Sequence, residues 1–275
     1  MKNTIKVLGI IAIIAIIGFS MTACKDDDSD NGGGGGGGNT TSKYDYTGNS
    51  IADFATWLAA KPTNTADTAY TVKLNVSDLV GDSGTSGSLG NVLKTNTNKF
   101  VSIDLSESSI TTFPYSTATG TFDGCSSLTG ITIPNSVKII GRLAFYGCNN
   151  LASITIPDSV TTIGQSTFTN CSNLASVTIG DRVSTIESMA FYSCSKLTSI
   201  TIPESVVSLA TGIFLGCTNL TNIKFEGTIN TNNIANGVFL GDLRAKFYAT
   251  DSVYGTPGTY TTTAPVGDTS VWTKN

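Results

Sequence analysis

The chain has 275 residues, with 16 basic against 20 acidic side chains, a net charge of −4 and only 13% charged residues. So sparse a charge provides no basic patch for neutralising phosphates, which argues against nucleic acid as a partner. Histidine is absent, which removes the commonest general base and the commonest zinc ligand together.

At the amino terminus Lys2 and Lys6 precede an apolar run from Val7 to Gly18. The run is too short to span a bilayer comfortably, and residues 1–23 read as a signal peptide. Met21-Thr22-Ala23-Cys24 follows, with small residues ahead of a cysteine, and then a polar stretch from Lys25 to Asp30. This segment resembles a bacterial lipobox, although Met21 stands where Leu is usual, and the resemblance implies a diacylglycerol group on Cys24 that attaches the chain to a membrane. The competing reading is an ordinary signal peptide cleaved after Ala23, with Cys24 a bystander. Gly32 to Gly38 is an unbroken glycine run flanked by Asp26, Asp27, Asp28 and Asp30. Such a segment cannot bury apolar surface, so residues 24–43 are expected to form a flexible tether.

Residues 44–100 carry mixed signals. Ser50 followed by Asp53 suits a helix start, and Ile51, Phe54, Ala55 and Leu58 share one helical face. Tyr70, Val72, Leu74 and Val76 alternate with polar residues as a strand does, and Leu89, Val92 and Leu93 suit a second short helix. A small α/β cap over the first turn of a longer structure is the expectation.

That longer structure is repetitive. Cys125, Cys148, Cys171, Cys194 and Cys217 recur every 23 residues. Phe122, Phe145, Phe168, Phe191 and Phe214 stand three positions before them, and Leu128, Leu151, Leu174, Leu197 and Leu220 three after. Ile131, Ile154, Val177, Ile200 and Ile223 then alternate with Ile133, Ile156, Ile179, Ile202 and Phe225, the period of two expected of a strand with one face inward. A second inward pair follows, Val137 with Ile140, Val160 with Ile163, Val183 with Ile186 and Val206 with Leu209. One such unit cannot bury its own apolar residues, so stability must come from stacking unit on unit. The fold class expected is mainly β, a solenoid over residues 101–236, with a degenerate unit running from Val101 through Ile110 to Phe113. Residues 237–275 follow as a C-terminal cap in which Phe239, Leu243, Phe247, Tyr248, Tyr254 and Tyr260 seal the last coil.

Three sets of side chains within the repeat invite chemistry. The body cysteines would lie one coil apart, about 5 Å, near enough for disulfides or a metal. Their setting between Phe and Leu favours buried free thiols. Asn135, Asp158, Asp181 and Glu204 recur just after the strand. They suit turns first, with calcium binding or a carboxylate pair as the alternatives. The outward strand positions form two files. Thr132, Thr155, Thr178 and Thr201 continue to Lys224, and Gly130, Ser153, Ser176 and Ser199 continue to Asn222. In register these make a flat, hydroxyl-rich sheet face with rungs about 4.8 Å apart. Ser153, Thr155, Ser176, Thr178, Ser199 and Thr201 are its candidate binding residues. The alternative is that Thr merely favours solvated strands.

The unit from Leu151-Ala152-Ser153-Ile154-Thr155-Ile156-Pro157 through Ile163-Gly164 to Phe168 and Cys171 resembles the BspA-like leucine-rich repeat. The segment Phe100 to Leu105 and the tail from Gly258-Thr259-Tyr260 to Trp272-Thr273-Lys274 are similar to treponemal surface lipoproteins of this type. The resemblance implies a solenoid used in adhesion or coaggregation. With Cys24 it implies a lipid-anchored protein of the cell envelope, at the outer membrane and facing outward. Expected partners are a host extracellular-matrix protein, a bacterial surface protein or a glycan. A passive coat or spacer without a specific ligand is the competing function. No catalytic residue, metal or cofactor is expected.

Overall fold

The computed structural model describes residues 43–275 except Asn236, Val238 and Phe239. The signal peptide, Cys24, the tether as far as residue 42, and Phe239 of the expected C-terminal cap therefore lie outside the described residues. Among the described residues no helix is long and apolar enough to cross a membrane.

The first elements are strand β1 (Tyr46–Gly48), helix α1 (Ile51–Ala59), strand β2 (Tyr70–Leu74) and helix α2 (Leu89–Thr95). Ser50 has the extended backbone of an N-cap and its hydroxyl accepts the Asp53 N–H at 3.2 Å, so α1 starts where the sequence suggests. Helix α1 buries Ile51, Phe54 and Leu58, and α2, capped by Ser88, buries Leu89, Val92 and Leu93. The strands do more than cover an end. β1 pairs in parallel with β2, and β2 pairs in parallel with β3 (Val101–Asp104), Val72 opposite Ile103. β3 in turn pairs with β4 (Leu128–Thr132), so the N-terminal strands are rungs of the same ladder as the first repeat.

Each regular coil then supplies one longer strand and one two-residue strand. In order these are β5 (Ile139–Ile140), β6 (Ser153–Thr155), β7 (Thr162–Ile163), β8 (Ser176–Thr178), β9 (Thr185–Ile186), β10 (Ser199–Ile202), β11 (Ser208–Leu209) and β12 (Asn222–Phe225). The short strands form one continuous parallel ladder, β5-β7-β9-β11. The longer strands do not. They divide into β1-β2-β3-β4, β6-β8 and a third ladder that begins β10-β12, so the face expected to be one flat sheet is interrupted after β4 and after β8.

Between the two strand columns runs a third side made of turns. Its backbone also bonds from coil to coil, the Phe145 N–H donating to Thr167 at 2.9 Å and the Phe168 N–H to Ala190 at 2.7 Å. Inside it the phenylalanines stack. Phe122, Phe145, Phe168 and Phe191 lie with successive centroids 5.3 Å apart, and the plane of Phe168 is within 6° of both Phe145 and Phe191.

The cysteine beside each phenylalanine has a defined bonding role. The Phe145 carbonyl accepts the Cys148 N–H at 3.2 Å and the Cys171 thiol at 3.1 Å, and the Phe168 carbonyl accepts the Cys171 N–H and the Cys194 thiol, each at 3.2 Å. The site asks for a small apolar side chain with one weak donor, and cysteine fits. At the start of the array Cys125 donates to Gly90 in α2 at 3.2 Å, so that helix replaces the missing coil. All five body cysteines are free and buried, as the Phe and Leu setting suggests.

Burial pushes the Cys125 and Cys171 thiols up to about 12 and Cys148 well above its ordinary value. Cys194 is raised too, first by the neighbouring Cys217 thiol and then by burial. Native protein should therefore resist maleimide at neutral pH and react at these cysteines only once unfolded. Stability should be unaffected by these groups below about 8.5, the ordinary thiol value regained on unfolding. It should fall as pH rises from there towards the folded values. Rapid labelling of native protein would show the thiols open to solvent.

The C-terminal elements are α3 (Leu243–Phe247), β13 (Gly258–Thr261) and β14 (Thr273–Lys274). β13 pairs antiparallel with β12, and β14 pairs antiparallel with β13, closing the last coil with a hairpin that ends in a two-residue edge. Leu243, Phe247 and Tyr260 are buried there as the sequence suggests, and Tyr248 packs edge-on against Phe247. Tyr254 departs from that expectation. It is 52% exposed, because an Asp251 carboxylate oxygen accepts the Val253 and Tyr254 N–H groups and the resulting turn directs the ring outward. Trp272, 1% exposed, is the larger plug, and its indole N–H donates to the Leu240 carbonyl at 2.9 Å.

Candidate functional site

Alternation along the strands fixes which side chains face out. Ile154, Ile200 and Ile202 are buried, and Ser153, Thr155, Ser176, Thr178, Ser199 and Thr201 are all exposed. Ser153 stands opposite Ser176 and Thr155 opposite Thr178 in the β6-β8 ladder, while Ser199 and Thr201 stand opposite Asn222 and Lys224 in β10-β12. The six residues therefore share one surface but belong to two ladders.

Two grooves mark that surface. One of about 590 Å³ runs over β3, β4 and β6, bordered by Ser102, Gly130, Thr132, Ser153 and Thr155. The other, of about 350 Å³, runs over β8, β10 and β12, bordered by Ser176, Ser199, Thr201, Asn222 and Lys224. Thr259 of β13 also lines this second groove, a contribution that the antiparallel return of the tail supplies and the repeat pattern gives no sign of. Lys224 carries the one cationic group on that rim and pairs with the Glu226 carboxylate at 2.7 Å.

The hydroxyls of the face differ from those of the turns. Among the described residues, none of the six candidate hydroxyls is taken by another protein group. In the turn row Ser136 donates to Ile110, Ser159 to Val137 and Ser205 to Val183, all backbone carbonyls one coil back. Asp158 likewise accepts the Asp181 N–H at 2.9 Å, and the carbonyls of Pro134, Pro157, Gly180 and Pro203 accept the N–H groups of Val137, Val160, Val183 and Val206. Asn135, Asp158, Asp181 and Glu204 are exposed on these turns, and among the described residues no group of three or more His, Cys, Asp or Glu side chains is placed to hold a metal ion. The turn row is thus engaged in construction, while the strand face keeps its donors and acceptors for solvent or a ligand.

An asparagine ladder that sequence reading passed over has a similar structural role. Asn150, Asn173 and Asn219 each donate to a carbonyl of the preceding coil, at Ser126, Asn149 and Ser195. The signal was available, since the three occupy one repeat position.

Residues 115–244 match the BspA type leucine rich repeat region in six copies. No curated protein matches the chain. Among solved structures the chain is similar to a leucine rich cell surface protein from Faecalibacterium prausnitzii, with 26% identity over 68% of this chain and 45% of that one, at a TM-score of 0.45. It is also similar to a Treponema pallidum leucine rich repeat protein, with 28% identity over 62% of this chain and 78% of that one, at a TM-score of 0.49. A Bacteroides capillosus leucine-rich repeat protein is 36% identical over 33% of this chain and 64% of that one, at a TM-score of 0.31. The chain spans less than half the length of the Faecalibacterium protein. The 23-residue period, the stacked Phe and Cys files and the parallel ladders belong together with that match: the repeat body of this chain is a BspA-type leucine-rich repeat solenoid.

Proposed function

We propose that the protein is a surface-displayed binding protein, tethered through a lipid on Cys24 and presenting the Ser/Thr face to a host matrix protein, a bacterial surface protein or a glycan. The observation that carries this reading is the contrast in hydroxyl use. A file of free hydroxyls on a nearly uncharged strand face can pair with an extended backbone or with sugar hydroxyls. The recurrence of Ser153, Ser176 and Ser199 with Thr155, Thr178 and Thr201 makes the surface extended, which suits a long ligand better than a small one.

The test uses the full chain against an array of matrix proteins and bacterial surface extracts. Saturable binding is expected, and it should be lost when Thr155→Lys, Thr178→Lys and Thr201→Lys are combined. Three charges planted on a neutral face oppose a neutral ligand far more than they oppose the solvated fold. The comparison is Asn135→Lys, Asp158→Lys and Asp181→Lys on the turn edge. If both triple variants fold by circular dichroism and only the edge change abolishes binding, recognition lies on the edge. If no probe binds saturably, the spacer function takes its place. The anchor is tested separately: Cys24→Ser should abolish palmitate labelling and release the chain from membranes, whereas persistent labelling removes the lipid from this account.

A further inference from the structure

The short-strand column breaks its 23-residue period between Thr112 and Ile139, and the break builds a second surface away from the Ser/Thr face. Ile139 pairs with Thr162 and Thr162 with Thr185, steps of 23 residues, but Thr112 pairs with Ile139, a step of 27. The four extra residues fall between Phe113 and Phe122, since the equivalent stretch in the next coil, Ile140 to Phe145, is that much shorter. Insertions in a repeat array emerge as loops on one side and are a common place for binding residues.

This insertion is ordered by its own bonds. The Ser116 N–H donates to the Thr119 carbonyl at 2.8 Å, and the Ser116 hydroxyl accepts the N–H groups of Ala118 and Thr119. The Arg142 guanidinium, from the following coil, donates to the Thr117 carbonyl. The loop holds Tyr115 at 58% exposure, with its ring lying on the Gly141 backbone, where an added Cβ would come within 2.5 Å of the ring. Tyr115, Ser116, Thr117, Arg142 and Gln165 border a shallow cleft that is wide open to solvent.

The chemistry of this cleft is specific. An aromatic ring resting on backbone with one face to solvent offers a stacking platform for the C–H face of a sugar ring. One arm of the Arg142 fork is spent on Thr117, which holds the guanidinium at the loop and leaves further N–H groups for a carboxylate. Gln165 brings its amide to the same cleft, and Arg142 is the single charged residue of the lining. The Ser116 hydroxyl is taken up within the loop, and the Glu187 carboxylate accepts the Gln165 N–H at 2.8 Å. We propose that this cleft binds a pyranose carrying a carboxylate, the ring stacked on Tyr115 and the carboxylate on Arg142. The site is independent of the Ser/Thr face and would give the protein a second contact of different chemistry.

Isothermal titration of the full chain with 3′-sialyllactose, a hyaluronan tetrasaccharide and lactose tests it. At least one of the two acidic sugars should bind saturably and at least about tenfold more tightly than lactose, the margin one charged hydrogen-bonded contact supplies. Tyr115→Ala and Arg142→Lys should each weaken that binding about tenfold or more, the lysine keeping the charge but losing the fork. Both are surface changes, and an unchanged thermal midpoint shows that the fold survives. Thr155→Lys, Thr178→Lys and Thr201→Lys combined should leave acidic-sugar binding intact, which separates this cleft from the strand face. Failure of both acidic sugars to bind, equal binding of lactose, or undiminished binding by the Tyr115→Ala and Arg142→Lys variants overturns the proposal.

Discussion

Replacing Phe168 by alanine is expected to destabilise the protein by about 3–5 kcal/mol, the range for deleting a fully buried aromatic ring. The ring is 0% exposed and sandwiched between Phe145 and Phe191, each with its centroid 5.3 Å away. Neither neighbour can fill the gap without leaving its own partner, because both belong to the same stack. The loss therefore includes the cavity as well as the transfer of the ring. Set against a total stability of about 5–15 kcal/mol for an ordinary domain, the change is large. Leu215→Ala provides the contrast, since that side chain is 42% exposed and its truncation should cost within about 0.5 kcal/mol. Urea unfolding of the two variants decides the matter. A cost below about 1 kcal/mol for Phe168→Ala would mean that the coils close up around the gap.

Trp272→Ala is expected to cost a similar amount but in a different place. The indole plugs the last coil among Phe214, Leu220, Ile223, Leu240 and Leu243, and its N–H satisfies the Leu240 carbonyl. Truncation opens a void and leaves a buried carbonyl without that partner, for a loss of about 3–5 kcal/mol. Repeat arrays are stabilised by nearest-neighbour contacts, so the damage should spread inward from the end. Hydrogen exchange should accelerate first in β12 and β13, with β3 and β4 still protected. Phe168→Ala should instead loosen β6 and β8 on either side of the gap. Uniform acceleration in both variants would show a single cooperative unit with no nearest-neighbour character.

Much of this architecture was legible because the repeat is strict. A period of 23 with Phe, Cys and Leu at fixed offsets leaves one way to stack the units, and the buried and exposed files follow from alternation. The continuity of β1 and β2 with the solenoid was hidden. Their strands carry the alternating pattern, but α2 and its preceding loop lie between β2 and β3 and break the spacing by which a rung would be recognised. The divisions after β4 and β8 were hidden as well, since they depend on the relative placement of neighbouring coils and no residue type announces them. The six face residues could be listed from the strand pattern, but their free hydroxyls could not. Both Ser159 and Ser153 carry a hydroxyl that sequence leaves unassigned, and only the fold shows that the first bonds to Val137 while the second meets no protein group among the described residues.

The reach of each thiol carries one more consequence. Every cysteine from Cys148 to Cys217 donates to a phenylalanine carbonyl 26 positions earlier, so each coil presents to its successor the same acceptor that it finds on its predecessor. A gene segment excised at Cys148 and rejoined at Cys171 would return every donor to an equivalent acceptor, one coil shorter. Length is therefore free to change by unequal recombination in whole multiples of 23 residues, with both ends untouched. Selection can tune how many outward-facing strand rungs the surface offers without having to solve the folding problem again.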